Sequence, residues 1–337
     1  MAEIEKFMNI AIGDIEKIMN IEKGDIEKIM GVEVPASMTS YQGNRGVAIG
    51  GYDSNTGNGK EIEYKAMASD GNTLDFGDIT TTSLRDEAGT IGNDSRAVSM
   101  GGYNNPNHIN NCDYITIAST GDGTDFGNLT VARRMTGSSG NGIRGICHTG
   151  YDGSSRLNTI DYITVGSAGD ASDFGDATAV GNTGATGNAH TTRGIWWGDG
   201  YTYAVKYADY VTIASTGNAS DFGDWSANIT GCAAIGLIES KNVWGGGYTT
   251  GAAGSWSTME YVNPNSTGDT TSQGDLGSAA TQAAGKFTNG TRGEMWGGAY
   301  SAHDEVQKLT IASSGNAAHA GDVRDGARTY WDGWTGD

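Results

Sequence analysis

Cysteine and proline are almost missing, with 3 of each in 337 residues. Cys112, Cys147 and Cys232 are odd in number, far apart and without CxxC spacing. That excludes a disulfide framework and a cysteine zinc site, and points to synthesis in a reducing cytoplasm. Basic charge is scarce: 21 Lys and Arg face 40 Asp and Glu, a net charge of −19. Such a surface cannot track phosphates, so neither nucleic acid nor an anionic membrane is expected as a partner. No apolar run approaches the length of about 18 residues that a membrane span needs, so no membrane insertion is expected. The acidic start, MAEIEKFMNIAIGD, lacks the basic stretch and cleavage site of a signal peptide. The five histidines occupy unrelated positions, and no HExxH, GxSxG or phosphate-loop Gly-Lys-Ser/Thr motif occurs. Enzymatic chemistry is therefore not expected.

What the chain has in excess is glycine, 55 residues, roughly twice the usual share. Glycine does not recur at every third position, which excludes collagen. Hydrophobic residues reach only 36%, yet 8 Trp and 15 Tyr supply large buried area per residue. The core must be thin and distributed.

Two repeats organise the chain. Residues 4–34 contain Ile-Glu-Lys units starting at Ile4, Ile15 and Ile26, a step of 11 residues. Their apolar stripe comprises Ile4, Phe7, Met8, Ile15, Ile18, Met19, Ile26, Ile29 and Met30. Gly13 and Gly24 interrupt it, against one continuous helix. Three such units cannot bury the stripe alone, so residues 1–35 are expected to dock on a partner or oligomerise, with Pro35 at the boundary.

From residue 36 to 337 a longer repeat follows. Six anchors run from a basic residue to a tyrosine, such as Arg45-Gly-Val-Ala-Ile-Gly-Gly-Tyr52 and Arg96-Ala-Val-Ser-Met-Gly-Gly-Tyr103. Their tyrosines, at 52, 103, 151, 201, 248 and 300, are 47 to 52 residues apart. A second block, for instance Cys112-Asp-Tyr-Ile-Thr-Ile and Ile160-Asp-Tyr-Ile-Thr-Val, alternates with period two, a strand signal. The third block is Asp75-Phe-Gly-Asp78, Asp125-Phe-Gly-Asn128, Asp173-Phe-Gly-Asp176 and Asp221-Phe-Gly-Asp224, degraded in copies five and six. A weaker strand is expected before each anchor, for example within Ala185–Thr192. Four short strands per roughly 50 residues, six times over, predict an all-β fold: a six-bladed β-propeller. The tail Arg328–Trp334 resembles the start of another anchor, and Met38–Tyr41 could open blade one. The tail is expected to clasp the first blade, with an incomplete seventh blade as the alternative.

These blocks resemble the kelch repeat of β-propellers, in which Gly-Gly closes an apolar strand and a strand with Tyr follows. More narrowly, they resemble kelch-like repeats in virion proteins of tailed bacteriophages, marine ones especially. The Ile-Glu-Lys-Ile-Met-Gly leader is similar to N-terminal segments of phage structural proteins. The resemblance implies a non-enzymatic protein of the virion surface, made in the host cytoplasm. It would decorate a capsid, tail or fibre as a homo-oligomer, join other virion proteins through residues 1–35, and recognise a host-surface glycan. A free lectin-like or scaffolding propeller and a propeller glycoside hydrolase are the alternatives.

Candidate sites follow from the repeats. The Asp-Phe-Gly-Asp blocks offer Asp75, Asp78, Asp125, Asp173, Asp176, Asp221 and Asp224 as hard oxygen ligands, so calcium is the one cofactor to consider. The rival reading makes them turns with a central Phe plugging the core. Trp197, Trp244 and Trp296 are read as one core layer, filled by Ile49 and Met100 in two other copies. Polar loops after each anchor tyrosine carry Tyr203, Tyr207 and Trp256, candidates for flat apolar contact with sugar.

Overall fold

The computed structural model describes residues 43–53, 59–80, 85, 87–181, 186–188, 190–197, 205–248, 256–279, 284–298, 304–324, 328–329 and 332–336. The expectations for residues 1–35, for Met38–Tyr41 and for Tyr203 lie outside them. Among the described residues there is no helix, and six four-stranded antiparallel sheets form a six-bladed β-propeller.

Each blade runs outward in the order its blocks follow in sequence. In blade 2 the innermost strand is Gly89–Gly92, followed by the anchor Arg96–Met100, the tyrosine strand Asn111–Thr116 and the outer strand Thr124–Asn128. The innermost strands of blades 3 to 6 are Gly137–Gly140, Thr186–Gly187, Ala233–Ile238 and Ala284–Thr288. Blade 1 takes its innermost strand from the other end of the chain, Asp332–Gly336. Successive innermost strands touch one another in a closed circle. This crowding explains why they are rich in Gly, Ala, Ser and Thr: a Cβ at Gly187 would lie 2.1 Å from the Ser138 carbonyl oxygen of the neighbouring blade.

The tail therefore clasps the first blade, but it starts no further anchor. Arg328–Thr329 pairs with Tyr52–Asp53, and Asp332–Gly336 then pairs along Arg45–Ile49 with Trp334 opposite Val47. It takes the innermost place instead of an anchor's place because Arg45–Ile49 already fills the second position of that sheet. Trp334 is fully buried, and its indole N–H reaches the Asn93 carbonyl of blade 2 at 3.0 Å.

The strand registers also correct the tryptophan layer. Trp197, Trp296, Met100 and Ile49 stand opposite Ala208, Val306, Cys112 and Ile62. Trp244 stands opposite Glu260, one step out of phase, in the place Trp196 holds opposite Asp209. With a side-chain period of two, that single step turns Trp244 to the other face of its sheet. It meets Trp197 edge-on across the joint between blades 4 and 5, ring centres 5.8 Å apart. The core is thus a set of wedges between blades, as the low hydrophobic content required.

Trp334→Ala should remove the largest apolar group of the closing strand and lower stability by about 3–5 kcal/mol. Thermal unfolding followed by near-ultraviolet circular dichroism checks this.

Candidate functional site: the blade joints and the loop face

The Asp-Phe-Gly-Asp block forms the outer strand of its blade, and its chemistry is directed at the next blade. Phe76, Phe126, Phe174 and Phe222 are buried and lie edge-on to Tyr64, Tyr114, Tyr162 and Tyr210, at 5.8–6.1 Å between ring centres. The outer strand is bulged at this phenylalanine, for instance between Asp125 and Gly127. The phenylalanine carbonyl then accepts from a turn glycine in the following blade: Gly121 to Phe76, Gly169 to Phe126, Gly217 to Phe174 and Gly268 to Phe222. Blades 5 and 6 make the same bond through Gln273 and Ala320, and all six span 2.7–2.8 Å. Two residues on, the backbone N–H donates to a side chain of the same turn. Asp78 reaches Asp122, Asn128 reaches Asp170, Asp176 reaches Asn218, and Asp224 reaches Asp269, at 2.9–3.1 Å. Asp275 and Asp322 complete the circle on Asn316 and Asn72. The motif is a latch between blades, and copies five and six keep it because its partners are mostly backbone.

The seven candidate calcium ligands are correspondingly dispersed around the propeller. Asp78 and Asp224 pair with Lys60 and Lys206 at 2.7 and 2.6 Å, and Asp75 lies 3.3 Å from Arg324. Asp125, Asp173, Asp176 and Asp221 are exposed and spread over three blades, Asp173 and Asp176 sharing one outer strand. Among the described residues no three His, Cys, Asp or Glu side chains converge as a metal-ligand set. The donor set calcium would need is not assembled.

A second latch was not visible in the sequence. The acid before the second-block tyrosine is buried and, in blades 2 to 5, takes hydrogen bonds from the residue two positions past the Asp-Phe-Gly-Asp block of the preceding blade. Asp113 accepts from Thr80, Asp161 from Thr130, Asp209 from Thr178, and Glu260 from Ser226. Gln307 replaces the acid in blade 6 and both accepts from and donates to the Ser278 backbone. Glu63 receives the Arg324 N–H at 3.4 Å and closes this ring too. Buried Arg85 and Arg133 neutralise Asp113 and Asp161. Asp209 has hydrogen bonds from Thr178 but forms no ion pair among the described residues, and burial pushes its pKa above the ordinary carboxylate value.

The joint between blades 6 and 1 differs from the rest. Lys65 and Glu294, both buried, meet at 2.9 Å, and the Trp296 indole N–H donates to Glu294 at 2.8 Å. In the other blades their places are aliphatic: Ile115, Ile163, Val211, Val262 and Leu309 for Lys65, and Val47, Val98, Ile146, Ile195 and Val243 for Glu294. Outside them, Asp70 bridges Arg292 at 2.8 Å and Lys308 at 2.5 Å, which accounts for Lys308 where other copies have tyrosine.

Two histidines serve structure as well. His190 replaces the asparagine that caps the equivalent inner hairpins of blades 2, 3 and 6, its Nδ1 accepting from the Thr192 and Arg193 backbones at 3.3 Å. Its Nε2 faces Glu239 at 3.2 Å. His148 lies 3.4 Å from Ser139 Oγ, but both are buried and the imidazole stacks on Trp196. No carboxylate holds its Nδ1, and burial drives its pKa well below the ordinary value. A nucleophile there would meet neither an oriented base nor solvent.

On the loop face, Tyr207 is half-buried in the tyrosine strand of blade 4, opposite Asp224, while Trp256 is half-buried against the main core in blade 5. No contact joins them among the described residues. The aromatic cluster the fold does assemble lies between blades 2 and 3. A short hairpin, Tyr103–Asn104 paired with Asn107–His108, inserts the His108 ring between Tyr103 and Tyr151, 5.3 and 5.5 Å away. The Arg134 guanidinium covers Tyr103 at 4.4 Å and is itself held by Glu87 at 3.3 Å. Tyr151 donates its hydroxyl to the Gly153 carbonyl at 2.8 Å. Every member of the cluster is fixed by a second contact, yet each ring keeps part of its surface in solvent. The tyrosine of each anchor was the available signal, since Tyr52, Tyr103, Tyr151 and Tyr248 all emerge on this face.

The sequence matches no protein-family model and no curated protein.

Two substitutions test the latches. Gly127→Ala places a Cβ 2.4 Å from the Gly169 carbonyl oxygen at φ +143°, and should cost at least about 1 kcal/mol in chemical unfolding. Asp209→Asn copies what Gln307 does in blade 6. Because the folded-state pKa of Asp209 is raised, its ionisation opposes folding, and that opposition grows as pH rises through the carboxylate range. The asparagine variant should therefore be more stable than the parent at neutral pH and lose the advantage in acid, measured as denaturation midpoints from pH 4 to 8.

Proposed function

We propose that this propeller is a non-enzymatic structural protein displayed on the surface of a phage-type particle, where its loop face recognises a host-surface glycan. The observation that carries the reading is the Tyr103–His108–Tyr151–Arg134 cluster. Flat rings fixed by neighbours, partly solvated and beside an arginine, offer the apolar contact and hydrogen bonding by which sugars are held, at small entropic cost. Catalysis has less support, since the second-block acids and the Ser139–His148 pair are committed to joints between blades. The acidic charge and absence of structural cysteines suit display outside a host cell after cytoplasmic synthesis. Residues 1–35 are proposed to fix the head to the particle as part of a homo-oligomer, because their Ile and Met stripe needs a partner to bury it.

The full chain applied to a glycan array should retain a defined subset of sugars. Tyr103→Ala and Tyr151→Ala should each weaken that binding at least about tenfold, the scale of one anchoring aromatic, with an unchanged melting temperature. Binding unaffected by both variants removes the loop-face reading. Deletion of residues 1–35 should abolish incorporation into particles, and unchanged incorporation would remove the attachment reading.

A further inference from the structure

The six innermost strands carry only two charged residues, Lys286 in blade 6 and Asp332 in the closing strand of blade 1. They are neighbours across the joint where the two ends of the propeller meet. Lys286 is buried, sits in a bulge of its strand and adopts the left-handed conformation at φ 66°, rare for a side chain of this length. That backbone directs its ammonium onto Asp332 Oδ2 and the Thr90 carbonyl. Asp332 Oδ2 also receives the Thr90 N–H at 2.8 Å and lies 3.4 Å from the Ser138 hydroxyl, while Oδ1 receives the Gly333 N–H at 2.8 Å. Four strands thus converge on one carboxyl group.

We propose that Lys286 and Asp332 condense to an intramolecular isopeptide bond that closes the propeller covalently. Lys286 is buried and its ammonium touches Asp332 Oδ2, so a proton can pass along that contact to leave a free amine, and burial lowers the lysine pKa in that direction. The free amine attacks Cγ, the oxyanion develops on Oδ1, to which the Gly333 N–H already donates at 2.8 Å, and the protonated Oδ2 is the leaving oxygen. One C–O bond breaks as the C–N bond forms. The departing hydroxyl takes a proton from nitrogen and leaves as water, so no oxidant, reductant or co-reactant is needed. The amide replaces two desolvated charges by one neutral group and fixes the last strand to the last blade. A chain with no structural disulfide gains by this the covalent tie that display outside a cell favours.

Denaturing intact-mass spectrometry of the full chain decides the matter. The expected mass is one water below that of the sequence. Trypsin should yield a branched species, in which the C-terminal peptide from Thr329 is joined to a peptide ending at Arg292 with Lys286 uncleaved. Lys286→Gln should restore the full sequence mass. A parent protein at full mass would overturn the proposal and leave an ion pair only. So would water loss confined to the C-terminal peptide, the product of cyclisation at Asp332–Gly333. Both readouts are made on unfolded protein, so a variant that folds poorly still reports, and neither depends on glycan or particle binding.

Discussion

Five antiparallel residue pairs between Asp332–Gly336 and Arg45–Ile49 determine whether the rest of the propeller can exist. Without them the first sheet would present an open inner edge, and the circle of innermost strands would have a gap. An open edge is costly twice over, through unpaired backbone groups and through exposure of the wedge faces that neighbouring blades cover. Closure places residues nearly 300 positions apart side by side, so its chain-entropy cost must be met by the contacts this strand makes. Blade 1 accordingly carries bonds on both sides that the other blades lack: Trp334 toward blade 2, and the Lys65–Glu294 and Lys286–Asp332 pairs toward blade 6.

The other joints share one economical solution. Each joint repeats two latches, one made by the bulged outer strand and one by the buried acid of the tyrosine strand, or by Gln307 at the joint between blades 5 and 6. Most partners are backbone groups, so the latches survive sequence drift. Gln273 and Ala320 stand where other blades have phenylalanine, yet their carbonyls accept the same turn glycine. Repeat identity can fade while joint geometry holds, and the low content of large aliphatic residues is tolerable because hydrogen bonds share the work of holding the blades.

Blade number, strand order and the clasp by the tail were legible because period-two alternation and a repeat near 50 residues are local signals repeated six times. The phenylalanine plug was legible for the same reason. What escaped were properties belonging to pairs of blades. Asp113 and Asp209 read as ordinary strand residues, because their partners Thr80 and Thr178 lie more than 30 positions away. Trp244 was misplaced because counting from its glycines hides a one-residue phase change that only pairing with Glu260 reveals. The Tyr103–His108–Tyr151 cluster depends on a short hairpin, Tyr103–Asn104 with Asn107–His108, in a loop whose sequence the repeat does not share. Its histidine therefore looked isolated.

The departures from the repeat carry a further lesson about position. Lys65 and Glu294 each break an aliphatic pattern kept by the other five copies; Glu294 also pairs with Arg292 of its own blade, but Lys65 without Glu294 would leave a buried ammonium with no carboxylate, at a cost of several kcal/mol. Together they are tolerable only where blade 6 meets blade 1, so they oppose any arrangement in which another blade takes that place. Lys286 and Asp332 obey the same logic on the axis. Six similar sheets could pair in the wrong circular order, since hydrophobic wedges distinguish neighbours poorly. Placing Lys65 and Lys286 against Glu294 and Asp332 makes blades 6 and 1 the neighbours in which both ammonium groups meet a carboxylate, and this specificity accounts for two ion pairs that a uniform aliphatic core would otherwise have excluded.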